Sequence, residues 1–224
     1  MQWIMDLQQV LDFLAALKQH NYKAWMDAQQ EEYQQARKTF IHVTDFLIKG
    51  MGPWEASVAH LEPKQCIFRI NRDVRFSKDK APYKTNMGAY LAKEGRHSGY
   101  AGYYLHLEPH DQSFIAGGMY CPAADALKQI RQEIDYNAAE LLTVLQAPRF
   151  KALFGHLQGE SLKRMPQGYE EAHPQAALLK MKSFIAMHPI KDSVVTQKDF
   201  LSYVLEVFQA IIPLNKFLNM AISA

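Results

Sequence analysis

Phe68 to Thr85, FRINRDVRFSKDKAPYKT, places six cationic side chains in eighteen residues of a chain whose formal net charge is only +2. Arg offers a planar fork that grips carboxylate or phosphate, and Lys adds a mobile point charge. The run therefore reads as an anion site in which Arg69, Arg72, Arg75, Lys78, Lys80, Tyr83 and Lys84 bind the ligand. The opposing reading is a solvated or salt-bridged run, with the repulsion offset by Asp73 and Asp79 or by acidic faces such as Glu31-Glu32 and Glu170-Glu171.

Tyr104, His106 and Glu108 form a second constellation, because alternate residues of a strand share one face. Histidine beside a carboxylate can act as a general acid or base, or the two can ligate a metal. A metal needs at least a third ligand, which His97, His110 or His188 would have to supply from elsewhere in the fold, so none is assigned. In the structural alternative the tyrosine and histidine simply occupy a half-buried sheet face. Combined, the two constellations suggest a pocket for a phosphorylated or carboxylated small molecule. Arg72, Arg75 and Lys80 would hold the anion, Tyr104 would help close the pocket, and His106 or Glu108 would move a proton.

Two other functions use the same residues. A non-catalytic module could bind nucleic acid or an acidic protein through the basic segment, with bases stacking on Tyr83, Tyr90, Tyr100, Tyr103 or Tyr104. A purely structural role would pair the cations with Asp and Glu. The sequence contains no P-loop, GxGxxG, GxSxG, HExxH or EF-hand loop, and no RRM, KH or zinc-finger signature. The expected partner is thus an anionic small molecule before nucleic acid, while the reaction, the cofactor, the oligomeric state and whether the chain is an enzyme stay open.

The elements that must position these residues follow from apolar spacing. Ile4, Leu7, Val10, Leu11, Leu14 and Leu17 predict a helix ending near His20-Asn21, and a longer stripe from Tyr22 to Leu47 predicts a second. CIFRI, NMGAYLAK, GYAGYYLHLEP and QSFIAGGMYC read as strands, the last two joined as a hairpin through His110-Asp111. Ala101, Tyr103, Leu105 and Leu107 would face the core, opposite Tyr104, His106 and Glu108. Gly117-Gly118 marks a bulge or a close approach. Helical spacing returns from Leu127 to Leu145, closed by Pro148, and from Phe200 to Leu218, with Pro213 as a late kink or break, and KSFIAMHPI reads as one more strand. Strands grouped between helices predict an α+β fold with a central, mainly antiparallel sheet, in one domain over residues 1–224.

Apolar residues make up 48% and charged residues 21%, an ordinary globular balance that argues against disorder. Lys64 to Lys84 holds seven Lys or Arg against Asp73 and Asp79, so the segment is +5 and the remainder −3. A uniformly basic nucleic-acid binder would not be divided this way. The N-terminus has no cationic start, no run reaches the roughly 18 apolar residues of a membrane span, and Cys66 and Cys121 lack CxxC or zinc spacing. A cytoplasmic location without membrane attachment is expected.

CIFRINRDVRFSKDKAPYKTNMGAYL, followed by AGYYLHLEP and SFIAGGMYCP, resembles the bacterial and fungal proteins catalogued as domain of unknown function 2461. The resemblance extends to NYKAWMDAQQEEYQQAR, to LKRMPQGYEEAHPQAALLKMKSF and to PLNKFLN, and so covers nearly the whole chain. It implies a single full-length domain whose hallmark is the basic stretch, and it implies no particular reaction, cofactor or partner. Lys23 stands where the family more often has Arg, and MYCP replaces a tryptophan-containing version, which argues against Cys121 as a family-wide nucleophile.

Overall fold

A computed structural model of the chain describes residues 6–223. Ile4, the first position of the N-terminal stripe, lies outside the described residues. The fold is α+β, with nine helices among the described residues and one four-stranded antiparallel sheet in the order β1-β2-β3-β4. The helices are α1 (Leu7–Gln19), α2 (Lys23–Ala28), α3 (Gln30–Met51), α4 (Pro63–Cys66), α5 (Ala124–Gln146), α6 (Pro148–Phe154), α7 (Ala176–Leu179), α8 (Asp192–Val195) and α9 (Phe200–Ala221). The strands are β1 (Met87–Leu91), β2 (Gly102–Leu107), β3 (Ser113–Met119) and β4 (Phe184–Ile190).

The chain divides into two compact units. One comprises the described residues through Arg96 with Tyr104–Ile115 and Pro189–Leu205; the other comprises His97–Tyr103, Ala116–His188 and the described residues from Glu206.

In the first unit α1 opens where the Asp6 carboxylate accepts the Gln9 amide N–H, and it buries Val10, Leu11, Leu14 and Leu17. The long helix expected from Tyr22 is broken at Gln29, so three helices stand where two were expected. Eight residues of continuous helix rise about 12 Å, yet the Trp25 and Tyr33 rings both pack on Phe13, at 6.0 and 5.8 Å between centroids. The break lets both aromatics reach that one ring.

The strand expected over CIFRI is also corrected. Cys66 ends α4, which Pro63 starts with a preset φ and Gln65 caps by accepting the Glu62 N–H at 2.7 Å. Beyond it the chain pairs at isolated bridges, Ile67 with Ala89 and Asn71 with Tyr83.

Alternation along β2 is as expected: Tyr103, Leu105 and Leu107 are buried, while Tyr104, His106 and Glu108 take the other face. The β2–β3 turn passes through His110 and Asp111 at φ +70° and +59°, the left-handed pair that a tight hairpin turn requires. Both of their amide N–H groups donate to the Asp192 carboxylate, at 2.8 and 3.1 Å, and the Asp111 carboxylate accepts the Asp192 N–H at 2.8 Å.

In the second unit the adjacent glycines answer to close approach. A Cβ at Gly117 would strike Ile211 of α9, and one at Gly118, whose φ is +113°, would strike the Phe184 carbonyl. Two asparagines of α9 complete the start of β2. Asn219 accepts the Ala101 N–H at 2.8 Å and donates to its carbonyl at 3.1 Å, and buried Asn215 donates to the Gly102 carbonyl at 3.0 Å. The helix α9 continues through Pro213 and, among the described residues, is the one helix long and apolar enough to cross a membrane; Val204, Val207, Phe208, Ile211 and Leu214 along it are buried.

Candidate functional site

The basic run folds as an antiparallel ribbon closed by hydrogen bonds between Arg72 N–H and the Pro82 carbonyl, at 2.9 Å, and Lys84 N–H and the Ile70 carbonyl, at 2.8 Å. Three of its six cations, Arg72, Arg75 and Lys80, are used within it. Arg75 forms a two-pronged pair with Asp73, at 3.0 and 2.6 Å, and Arg72 pairs with Asp79 and donates to the Ala81 carbonyl. Lys80 donates to the Val74 carbonyl at 3.0 Å. The hydrogen bond from Arg75 holds the Asp73 carboxyl below its ordinary range; the Ala81 amide, then Arg72, does the same for Asp79. At the tip Phe76 is 95% exposed, with the Arg75 guanidinium 5.9 Å from its ring centroid.

The other expected ligand-binding residues divide. Lys78 is exposed and makes no hydrogen bond or ion pair among the described residues. Tyr83 is buried, and its backbone is clasped by the Asn21 side chain, which donates to the carbonyl at 2.9 Å and accepts the N–H at 3.1 Å. Lys84 lies over the Phe68 ring at 5.3 Å, where burial first and the Arg69 charge second lower its pKa. Arg69, of the six cations of the run, lines a cleft between α3 and α4.

That cleft, of about 610 Å³, lies in the first unit among α3, α4, the Ile67–Asn71 segment and Asn86-Met87. Four cations line it: Arg37 from α3, Lys64 from α4, Arg69, and Arg96 from the turn after β1. Lys64 pairs with Glu62 at 2.6 Å. Arg96 is set in place by Gly95, whose φ of +85° brings the chain against Gln65, so that the Arg96 N–H donates to the Gln65 carbonyl at 3.0 Å and its guanidinium to the Lys64 carbonyl. No carboxylate among the described residues forms an ion pair with Arg37, Arg69 or Arg96. Residue spacing gave no sign of Arg37 or Arg96 as site residues. Arg37 ends the NYKAWMDAQQEEYQQAR stretch of the family resemblance, whereas Arg96 lies in none of the stretches that carry it.

Tyr104, His106 and Glu108 do come together. His106 Nε2 meets Glu108 Oε2 at 3.0 Å, while Nδ1 faces the Tyr104 hydroxyl at 3.0 Å and the Asn86 amide at 3.4 Å. These contacts fit one tautomer, with Nε2–H donating to the carboxylate and Nδ1 accepting. Thr85 at 3.0 Å and Lys18 at 3.3 Å donate to the other Glu108 oxygen, and Phe114 stacks on the imidazole at 4.3 Å.

Burial pushes the Tyr104 phenol up to about 12 and outweighs Glu108 in lowering the His106 pKa. At Glu108 burial acts upward, but hydrogen bonds from His106, Thr85 and Lys18 prevail and hold the carboxyl low. The network touches the cleft through Asn86, which lines it, and through Phe68, whose ring meets Tyr104 edge-on. Among the described residues no group of three or more His, Cys, Asp or Glu could hold a metal ion. Of the thiols, Cys66 is buried and pushed up to about 11 by that burial, and Cys121 is exposed.

The fold and site thus define an α+β protein with an arginine-lined cleft backed by a histidine–glutamate network. The chain belongs to the family described as Conserved hypothetical protein (DUF2461), which matches residues 9–217. No curated protein and no solved structure matches it.

Proposed function

We propose that the chain binds a phosphorylated or carboxylated small molecule in the cleft, with Arg37, Arg69 and Arg96 as the anion's ligands. What carries this reading is that three guanidinium groups from separate segments line one concavity, none of them paired to a carboxylate among the described residues. A bound anion would offset their mutual repulsion through charge-assisted hydrogen bonds. His106 and Glu108 serve here as positioning residues: both imidazole nitrogens are engaged, and the network orients Asn86 at the cleft wall. Direct proton transfer to a ligand would require Tyr104 or Asn86 to give way. The test is calorimetric titration with inorganic phosphate and acetate. Arg69→Ala should weaken binding about tenfold or more, the loss expected for a charge-assisted contact; unchanged affinity would sink the reading.

A second reading has one observation in its favour. Phe76, fully displayed beside Arg75 and Lys78, could seat a nucleic acid base or dock in an acidic protein. Nucleic-acid binding at the ribbon should fall steeply with added salt and disappear in Phe76→Ser.

A further inference from the structure

Apart from its four cations, the Glu62 carboxylate paired to Lys64, and Asn71 and Asn86, the cleft is lined by apolar and aromatic residues. Tyr33, Phe40 and Ile41 come from the same helix as Arg37, and Ile67, Phe68 and Ile70 lie on the segment that carries Arg69. Tyr33, Ile41, Ile67 and Phe68 are only half-buried, so they present carbon surface that a ligand would cover. The Phe68 ring lies 5.3 Å from the Lys84 ammonium and meets Tyr104 in a T-shaped contact.

Uncharged hydrogen-bonding side chains are scarce. Apart from the Tyr33 hydroxyl, the lining offers Asn71 and Asn86, the latter already facing His106, and it includes no Ser, Thr, Gln or Gly. Part of the nearby backbone is also committed: Ile67 N–H donates to the Pro63 carbonyl, Phe68 N–H to the Gly88 carbonyl, and the Ile70 carbonyl accepts the Lys84 N–H. A polyhydroxylated body would leave its hydroxyls unmet, weakening binding on the order of tenfold or more for each one stripped of water.

We infer that the ligand is an amphipathic anion: one phosphate or carboxylate head held by the arginines, and an aryl or alkyl body against Tyr33, Ile41, Ile67 and Phe68. Sugar phosphates and nucleotides are the wrong class for these walls. The inference rests on the reading of the cleft as an anion site and adds what must be attached to the charge.

Calorimetry on the full chain separates the two. Inorganic phosphate, glycerol phosphate, phenyl phosphate and a series of alkyl phosphates are titrated, with acetate against phenylacetate as the carboxylate arm. Phenyl phosphate and phenylacetate should bind at least tenfold more tightly than their small counterparts. Along the alkyl series affinity should rise about fourfold for each methylene covered. Ile41→Asn should flatten that rise, and Ile67→Asn serves if the first variant does not fold. A flat series, or glycerol phosphate binding as well as phenyl phosphate, overturns this inference and leaves the anion site standing. If no probe binds, both fail.

Discussion

On the ribbon between Ile70 and Lys84, arginines meet carboxylates two and seven residues away; the arginines of the cleft come from α3, the Ile67–Asn71 segment and the turn after β1. A short ribbon allows a side chain to satisfy its neighbour, so dense charge in sequence is consumed locally. A site needs convergence from distant positions, and such convergence leaves no mark in local charge density. The cations of the ribbon build a projection that displays Phe76, while the arginines of the cleft have no carboxylate partner among the described residues.

Charge reversal separates the two regions most directly. Arg37→Glu should abolish anion-induced thermal stabilisation, and Arg75→Glu should leave it intact; equal losses would mean that ribbon and cleft act as one site. A smaller effect is expected from acid. His106 is lowered from its ordinary value of 6.5 and Glu108 from 4.5, so in each case the unfolded chain takes up a proton before the folded one does. Stability should therefore be complete above pH 6.5, decline as pH falls through the folded pKa of His106, and decline further below 4.5. Melting temperature against pH would show it, and His106→Asn should lack the first step. The smallest effect belongs to Asp79→Ala, which frees Arg72 and the Ala81 amide. It should raise protease cleavage within the ribbon without changing affinity in the cleft, whereas a large loss of affinity would show that the ribbon shapes the cleft.

Much of the fold was legible because its signals are local. The stripe of α1, the alternation of β2, the His110-Asp111 turn and the apolar run of α9 appear as expected, although α9 is not broken at Pro213. The break at Gln29 was not legible, since it answers to Phe13 on another helix. Cys66–Ile70 carries strand-like residues, but Pro63 and the Gln65 cap extend helical geometry to Cys66, and only single bridges follow. At the site, the Tyr104–His106–Glu108 grouping was readable from a period of two, whereas its partners Asn86, Thr85 and Lys18 belong to tertiary structure. Arg69 was identified for its charge, but nothing nearby in sequence distinguished it from Arg72 or Arg75.

The asparagine clasp at the start of β2 bears on how the protein is made. Asn219 and Asn215 serve peptide groups 118 and 113 residues earlier in the chain, doing for Ala101 and Gly102 what a neighbouring strand would do. A ribosome synthesising this chain releases the beginning of its second strand long before the side chains that secure it. Those peptide groups must wait, bonded to water, until α9 has emerged. Contacts so distant in sequence slow folding.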